Sequence, residues 1–178
     1  MKKNLLASLI AASSIFAVNS ALAADGTIDF TGEITDQACE LAAGSDALKV
    51  NLGKVSKKAL PSAGSTAAAT KFTIKLINCP TTVTSASVKF DATSYPGDDS
   101  VIELKDAGQS GVAKGVGIQI TDDVNTVIPL FTASKAYPLK DGVENNLDFR
   151  ARYIAQTDSV DVGLANANAN ATFTINYN

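Results

Sequence analysis

The sequence predicts an all-β protein folded as an antiparallel sandwich, and three observations lead to that prediction. Apolar and polar residues alternate in several short segments, which is the period of a half-buried strand. Turn-forming clusters such as residues 95–99 follow these segments, and helical periodicity is nearly absent. The chain of 178 residues has no evident linker or repeat, so one domain suffices. Short strands separated by turns are typical of antiparallel sandwiches.

The interior strands follow from this alternation in chain order. We predict strands at residues 47–52, 71–79, 87–91, 117–121 and 147–154. Residues 127–130 are apolar, but Pro129 confines them to an edge or a strand end. Residues 63–69 are rich in alanine, which permits a helical turn, yet their Gly, Ser and Thr make a loop at least as plausible.

The two ends of the chain show complementary strand patterns. Residues 163–178 place apolar or small side chains at odd positions, which include Gly163, Phe173, Ile175 and Tyr177. The sequence stops there, so we expect this strand to lack a neighbour on one side. Residues 28–34 repeat the pattern, with Ile28, Phe30, Gly32 and Ile34 on one face. One end resembles a strand in need of a partner and the other resembles the partner, which predicts a polymerising subunit. The alternative is that residues 28–34 complete the sandwich of their own chain.

Residues 1–23 have the features of a secretory signal peptide. Lys2 and Lys3 give a basic start, residues 5–18 are apolar but short for a membrane span, and residues 21–23 read Ala-Leu-Ala. We therefore expect cleavage before Ala24 and export of the mature chain. Loss of the two lysines leaves thirteen basic against eighteen acidic residues, a net charge of about −5. That sign disfavours binding to nucleic acid.

Cys39 and Cys79 are the only cysteines, and in an exported protein they predict one structural disulfide. A metal site is the weaker interpretation, because the chain has no histidine and too few other ligands. A redox pair is also disfavoured, since a Cys-x-x-Cys spacing is absent.

The residues give little support for catalysis. The lack of histidine removes the usual general base. The acid pairs at 98–99 and 122–123 are interpreted as solvated turn residues, because neighbouring side chains on a strand or turn point apart. Residues 115–117, Gly-Val-Gly, lack the rest of a phosphate-binding loop and are interpreted as the start of a strand. We expect neither an enzyme, a metal site nor a cofactor.

Taken together, these motifs resemble the pilins of the chaperone–usher class, above all the main shaft subunit of type 1-like fimbriae. The resemblance spans the whole chain, and the order and spacing of its short motifs make it specific. It rests on the signal peptide, residues 32–34 before Cys39, residues 72–76 before Cys79, residues 115–119, the tail 171–177, the penultimate Tyr177 and Gly163 fourteen residues before it.

The resemblance implies an incomplete immunoglobulin-like sandwich that lacks its last strand, with an N-terminal donor-strand extension. Residues 24–38 would be that extension and residues 39–178 the pilin domain. A periplasmic chaperone would fill the groove first, and at an outer-membrane usher the extension of the next pilin would replace it. Ile28, Phe30, Gly32 and Ile34 would form the donor face. Gly163, Phe173, Ile175 and Tyr177 would serve the acceptor groove and chaperone recognition. The product would be an extracellular fimbria that supports adhesion.

Three alternatives stay open at this point. The chain is also compatible with a minor adaptor pilin of the same class, or with a monomeric secreted β-sandwich that binds a ligand. A small outer-membrane protein would likewise end in an alternating strand with a terminal aromatic. Against that last alternative, the exposed faces carry too many Asn, Thr and Lys for contact with lipid.

Overall fold

The secondary structure of the described residues consists of nine strands and one short 3-10 helix, Lys57–Ala59. A computed structural model describes residues 26–32, 34, 38–161 and 166–178. The chain divides into two units, residues 1–34 and residues 35–178. All nine strands belong to the second unit: β1 Glu40–Leu41, β2 Thr66–Ile77, β3 Ser85–Asp91, β4 Ser94–Tyr95, β5 Asp98–Ile102, β6 Val116–Asp122, β7 Tyr137–Pro138, β8 Asn145–Ala155 and β9 Thr172–Tyr177. The predicted all-β class is confirmed.

The strands form two sheets, and every pairing between named strands is antiparallel. The larger sheet has the order β1-β2-β8-β6-β5-β4, and the smaller one has the order β7-β3-β9. Strands distant in sequence are therefore neighbours: β2 pairs with β8, and β3 pairs with β9.

The hydrophobic core packs on the inner face of β8, where alternate residues are buried. Phe149 lies at its centre and is fully buried. Its ring centroid is 5.6 Å from that of Phe72, 5.2 Å from Phe90 and 5.4 Å from Tyr137. Because two of these rings come from the larger sheet (β2 and β8) and two from the smaller one (β3 and β7), they hold the sandwich together through offset and edge contacts. A second cluster, around Val116 and Ala155, closes the opposite part of the unit.

Most predicted interior strands are confirmed, and the structure extends several of them. Strands β3, β6 and β8 contain the segments predicted from alternation, and β2 contains residues 71–77 of the predicted segment 71–79. The predicted turn at 95–99 joins β4 to β5. Residues 127–130, predicted to lie at an edge or a strand end, form no named strand. Val127 makes an isolated bridge to Thr121, and the Ile128 amide donates to the Ile120 carbonyl oxygen at 3.0 Å.

Two predictions about local structure are wrong. Residues 47–52, predicted as a strand, form no strand pairing and line a groove instead. Residues 66–69, which we assigned to a loop or a helical turn, are the first part of β2. The register of β2 on β8 shifts between Ala67 and Thr70, and Ala68 has a φ of 58°. This bulge disrupts the ladder locally, which explains why the strand shows no regular alternation there.

The predicted terminal strand is shorter in the structure than in the sequence pattern. Strand β9 covers Thr172–Tyr177, whereas residues 166–171 belong to no named strand. Gly163 lies outside the described residues. In the first unit, residues 26–32 and 34 have no secondary structure and are exposed to solvent. Within the part of the chain that the structure describes, no helix has the length and apolar character needed to cross a membrane.

Candidate functional site

Strand β9 exposes one of its edges. On its paired side, the Asn178 amide donates to the carbonyl oxygen of Ser85 at 2.9 Å and the Ser85 amide donates back at 3.0 Å. Hydrogen-bonded pairs alternate along an antiparallel ladder, so the even residues of β9 face β3. The backbone N–H and C=O groups of Phe173, Ile175 and Tyr177 therefore point the other way. Among the described residues, no strand pairs with β9 on that side.

An apolar groove opens beside the start of this edge, at residues 169–172 and Phe173. Its volume is about 560 Å³, and Phe173 forms part of one wall. The floor belongs to the core of the sandwich and includes Phe72, Phe90, Ile118 and Ile120. Phe173, Ile175 and Tyr177 are half-buried, whereas Thr172, Thr174 and Asn176 are exposed. The groove thus offers apolar floor contacts and unpaired backbone groups side by side, which is what an added strand requires.

Residues 46–52 form the opposite wall. Leu48, Val50 and Leu52 line the groove at alternate positions, as the side chains of an extended segment would. The backbone of these residues donates and accepts no backbone hydrogen bond to β2; the Thr70 hydroxyl reaches the Asn51 carbonyl at 3.5 Å. The alternation that predicted a strand here is therefore genuine, but the hydrogen-bonded neighbour is missing.

The predicted disulfide is confirmed. Cys39 and Cys79 are bonded and buried, and they tie the residue before β1 to the chain just after β2. The Tyr177 hydroxyl donates to the Cys39 carbonyl oxygen at 3.3 Å, which links β9 to the same point. Burial raises the pKa of Tyr177, so the phenol stays protonated and keeps its donor role at neutral pH.

The predicted donor residues carry unused apolar surface. The side chains of Ile28, Phe30 and Ile34 are 79%, 92% and 101% exposed. Contiguous exposed apolar residues of this size are rare on monomeric soluble proteins and mark interaction sites. At Gly32, an added Cβ would meet no other atom within 4 Å. These residues belong to the first unit, and the groove belongs entirely to the second.

The structure places the predicted acceptor residues as follows. Phe173 lines the groove, whereas Ile175 and Tyr177 pack against the adjoining core. The wall residues Leu48 and Val50 were not predicted to take part. Their alternation was visible in the sequence, but it was assigned to an ordinary internal strand.

The acidic pairs are structural, and one interpretation of them is wrong. Asp122, expected to be solvated, is only 4% exposed. Its carboxylate accepts hydrogen bonds from the amides of Val124 at 3.0 Å and Thr126 at 2.7 Å and closes a tight turn. At Asp98, hydrogen bonds led by the one from the Ser100 hydroxyl at 2.6 Å lower the pKa. In the described residues, no group of three or more acids or cysteines could hold a metal ion.

An antiparallel sandwich with one open strand edge beside an apolar groove belongs to the class of β-domains that can accept an added strand. Comparison with known proteins names the family. The family model described as Fimbrial protein matches residues 28–178, and the chain belongs to this family.

Several relatives are similar over nearly their full length. The chain is 38% identical to the fimbrial-like protein FimF of Salmonella typhimurium, over 85% of this chain and 83% of the relative. It is 35% identical to the type-1 fimbrial protein A chain of Escherichia coli K12, over 99% and 100%. The probable major fimbrial subunit LpfA of Escherichia coli O157:H7 is 34% identical over 99% and 97%.

Solved structures support the fold. A subunit from a chaperone–usher pilus structure superposes with a TM-score of 0.65 at 21% identity, over 87% of this chain and 96% of that one. The P pilus rod subunit PapA superposes with a TM-score of 0.62 at 21% identity, over 79% and 99%. These likenesses confirm the immunoglobulin-like pilin sandwich.

Family membership establishes what kind of protein this is. The chain is a type 1-like fimbrial subunit, and its role is structural and not enzymatic. A fimbrial subunit assembles with other subunits into a fimbria on the cell surface.

Proposed function

We propose that this subunit polymerises by donor-strand exchange, in which residues 24–38 of one copy fill the groove of the next. The observation that carries the proposal is the open edge of β9 beside an apolar groove. The contact is head to tail, because donor and acceptor are different surfaces of one chain. Such a contact does not close on itself and generates an open fibre.

The donor face matches the groove in chemistry. Ile28, Phe30 and Ile34 are exposed, and each would bury its side chain against an apolar floor. Burial of these three side chains contributes on the order of 5–9 kcal/mol, before any backbone hydrogen bond is counted. Gly32 has no side chain and suits a shallow place along the groove. The backbone of the donor would pair with the free groups of Phe173, Ile175 and Tyr177.

Assembly through this groove requires partners that protect it beforehand. We propose that residues 1–23 direct export and are removed, and that a periplasmic chaperone then lends a strand to the groove. An outer-membrane usher would exchange that strand for residues 24–38 of the next subunit. The chaperone would recognise the β9 end, with Tyr177 and Gly163 among the residues it reads. An unfilled groove would otherwise expose both apolar surface and a strand edge, which favours aggregation.

The first experiment compares thermal unfolding of a chain that begins at Ala38 with and without a synthetic peptide of residues 24–36. We expect the peptide to raise the transition temperature strongly and to dissociate slowly. Equal stability in both samples would mean that the fold is complete without a donor, and donor-strand exchange would be rejected.

A matched pair of peptides makes the test specific. Phe30→Asp places a charge on the face that enters the groove, whereas Thr31→Asp places the same charge on the outer face. Only the first change should abolish the stabilisation, because an unpaired charge is costly in an apolar environment. If the two peptides stabilise the chain equally, the groove does not recognise the alternating apolar face of the donor.

Within the fimbria we propose the shaft position. The relatives named as a probable major fimbrial subunit and as the type-1 A chain match this chain over its full length. The match to FimF, a fimbrial-like protein, keeps the adaptor position as the second candidate. Quantitative mass spectrometry of purified fimbriae distinguishes the two. A shaft subunit should dominate the mass, and a few copies per fimbria would indicate an adaptor.

A further inference from the structure

The chain has only two arginines, and both lie on one face of the central strand β8. Arg150 and Arg152 are separated by one residue, so their side chains leave the same side of the sheet. Their neighbours in the alternation, Phe149 and Ala151, are buried in the core, which places the arginines on the outer face of the six-stranded sheet. Both are partly buried. Arginine is the residue that proteins favour in interface ion pairs, so two partly buried arginines on one outer face indicate an ionic contact.

Neither arginine forms an ion pair within the described residues. The Arg152 guanidinium donates from Nε at 3.1 Å and from Nη2 at 2.7 Å to the side-chain oxygen of Gln119. Gln119 is 5% exposed and neutral, so it fixes the guanidinium without neutralising the charge. An arginine held in this way has its orientation set and its remaining donors free for a carboxylate.

Arg150 has a neighbouring acid that is already engaged. The carboxylate of Asp148, two residues away on the same face, accepts from Lys71 Nζ at 2.8 Å and from the Thr73 hydroxyl at 2.6 Å. Burial opposes ionisation of Asp148, but these two hydrogen bonds and the charges of Lys71 and Arg150 hold its pKa below the usual value. The carboxylate of Asp148 is thus taken up by Lys71 and Thr73 and forms no ion pair with Arg150.

A third feature on this face is a buried hydroxyl group, that of Thr121, without a hydrogen-bond partner in the described part of the chain. Thr121 is the register partner of Arg150 across the sheet, so the two side chains lie on the same face. It is fully buried, and among the described residues its hydroxyl is the only buried side-chain polar atom without a hydrogen-bond partner.

We infer that Arg150 and Arg152 bind carboxylates of a second copy of this chain in the assembled fimbria, in a lateral contact separate from the donor groove. Charge complementarity argues for this occupant. The sequence has eighteen acidic against fifteen basic residues, so a second copy of the chain offers an excess of carboxylates to the two arginines. The groove is lined by other residues, so the inference does not depend on donor-strand exchange.

The test compares two double charge reversals in fimbriae isolated from cells. R150E with R152E reverses the proposed contact, and K57E with K58E makes the same change in net charge at two exposed lysines without an ion pair in the described residues. We expect the arginine pair alone to reduce the mass of intact fimbriae at low salt by about tenfold or more. Equal amounts of intact fimbriae from both variants and the unmodified chain would overturn the inference.

Two further measurements separate the contact from effects on folding. We expect salt to reduce the mass of intact unmodified fimbriae, because it screens the ionic contact. R150Q with R152Q removes the charges with little change in shape, and its fimbriae should be insensitive to salt. R152K keeps the charge and supplies an amine for zero-length carbodiimide cross-linking. We expect a covalent link from position 152 to a carboxylate of another copy. A neutral variant that keeps full salt sensitivity, or a position 152 that never cross-links to another copy, would also overturn the inference.

Discussion

Gly117→Ala should destabilise the sandwich, although the change adds a single carbon. Gly117 lies in β6 next to β5, and a Cβ there would be 2.3 Å from Val101 Cγ1 and 2.7 Å from the carbonyl oxygen of Ile102. Carbon atoms in protein interiors prefer separations of about 3.5–4.0 Å. Val101 is fully buried and the Ile102 carbonyl belongs to the backbone, so neither can yield without disturbing its neighbours. We expect a loss of about 1–3 kcal/mol in the free energy of unfolding.

Urea unfolding followed by circular dichroism measures this loss, since the chain has no tryptophan to report by fluorescence. For a domain of this size, each kcal/mol corresponds to about 2–4 °C in transition temperature, so a thermal scan provides a second measurement. An unchanged midpoint in both experiments would refute the steric argument.

Two further variants show which part of the cost is steric. Gly97→Ala introduces the same methyl group at a φ of 83° with no atom within 4 Å, so it tests backbone strain alone, about 1–2 kcal/mol. Val101→Ala removes the atom at 2.3 Å. Combined with Gly117→Ala, it should cost less than the sum of the two single changes, because the clash is partly relieved. Strict additivity would contradict the proposed clash.

Two other predictions concern the disulfide and the ionised carboxylate of Asp148. Replacing Cys39 and Cys79 by alanine should lower the free energy of unfolding by about 4 kcal/mol in the chain-entropy model, given a separation of 40 residues, and denaturant titration will check it; an unchanged midpoint would contradict it. The lowered pKa of Asp148 should stabilise the fold above its unfolded pKa of about 3.9, and this contribution is lost as the pH falls through the folded value. Asp148→Asn should therefore flatten the acid limb of the stability curve between pH 5 and 2, and an identical acid limb would exclude this role.

The strands that could be predicted from the sequence are those whose burial is decided by local alternation. In β8, Leu147, Phe149 and Ala151 are buried and their neighbours are not. Burial therefore alternates with the apolar and polar residues of the segment, which is the pattern that predicts a strand. The disulfide was also predictable, because the composition left each cysteine a single partner. In both cases the chemistry of the segment itself determines the outcome.

Other features depend on neighbours that no local pattern reveals. Residues 47–52 alternate like a strand, but strand formation requires a hydrogen-bonded partner, and none is present along β2. Asp122 lies in a turn sequence typical of exposed acids, yet its carboxylate is buried because it accepts hydrogen bonds from the amides of Val124 and Thr126. The meeting of Arg150 with Thr121 likewise follows from the pairing of β6 with β8, which joins segments far apart in sequence.

Within the described part of the chain, residues 47–52 have no hydrogen-bonded partner strand, and β9 has one unpaired edge. Both segments border the same groove, so one added strand could supply both missing neighbours. Residues 47–52 and the start of β9 line the same groove, and the core residue Phe90 also lines it. A strand placed in the groove could pair with both walls while its alternate side chains cover the floor. The stability of the subunit would then depend on the concentration of its partner, as for other chains that fold fully only on association. On this reasoning, the urea midpoint of the chain that begins at Ala38 should rise with the concentration of donor peptide. A midpoint independent of peptide would show that the two walls of the groove need no added strand for their stability.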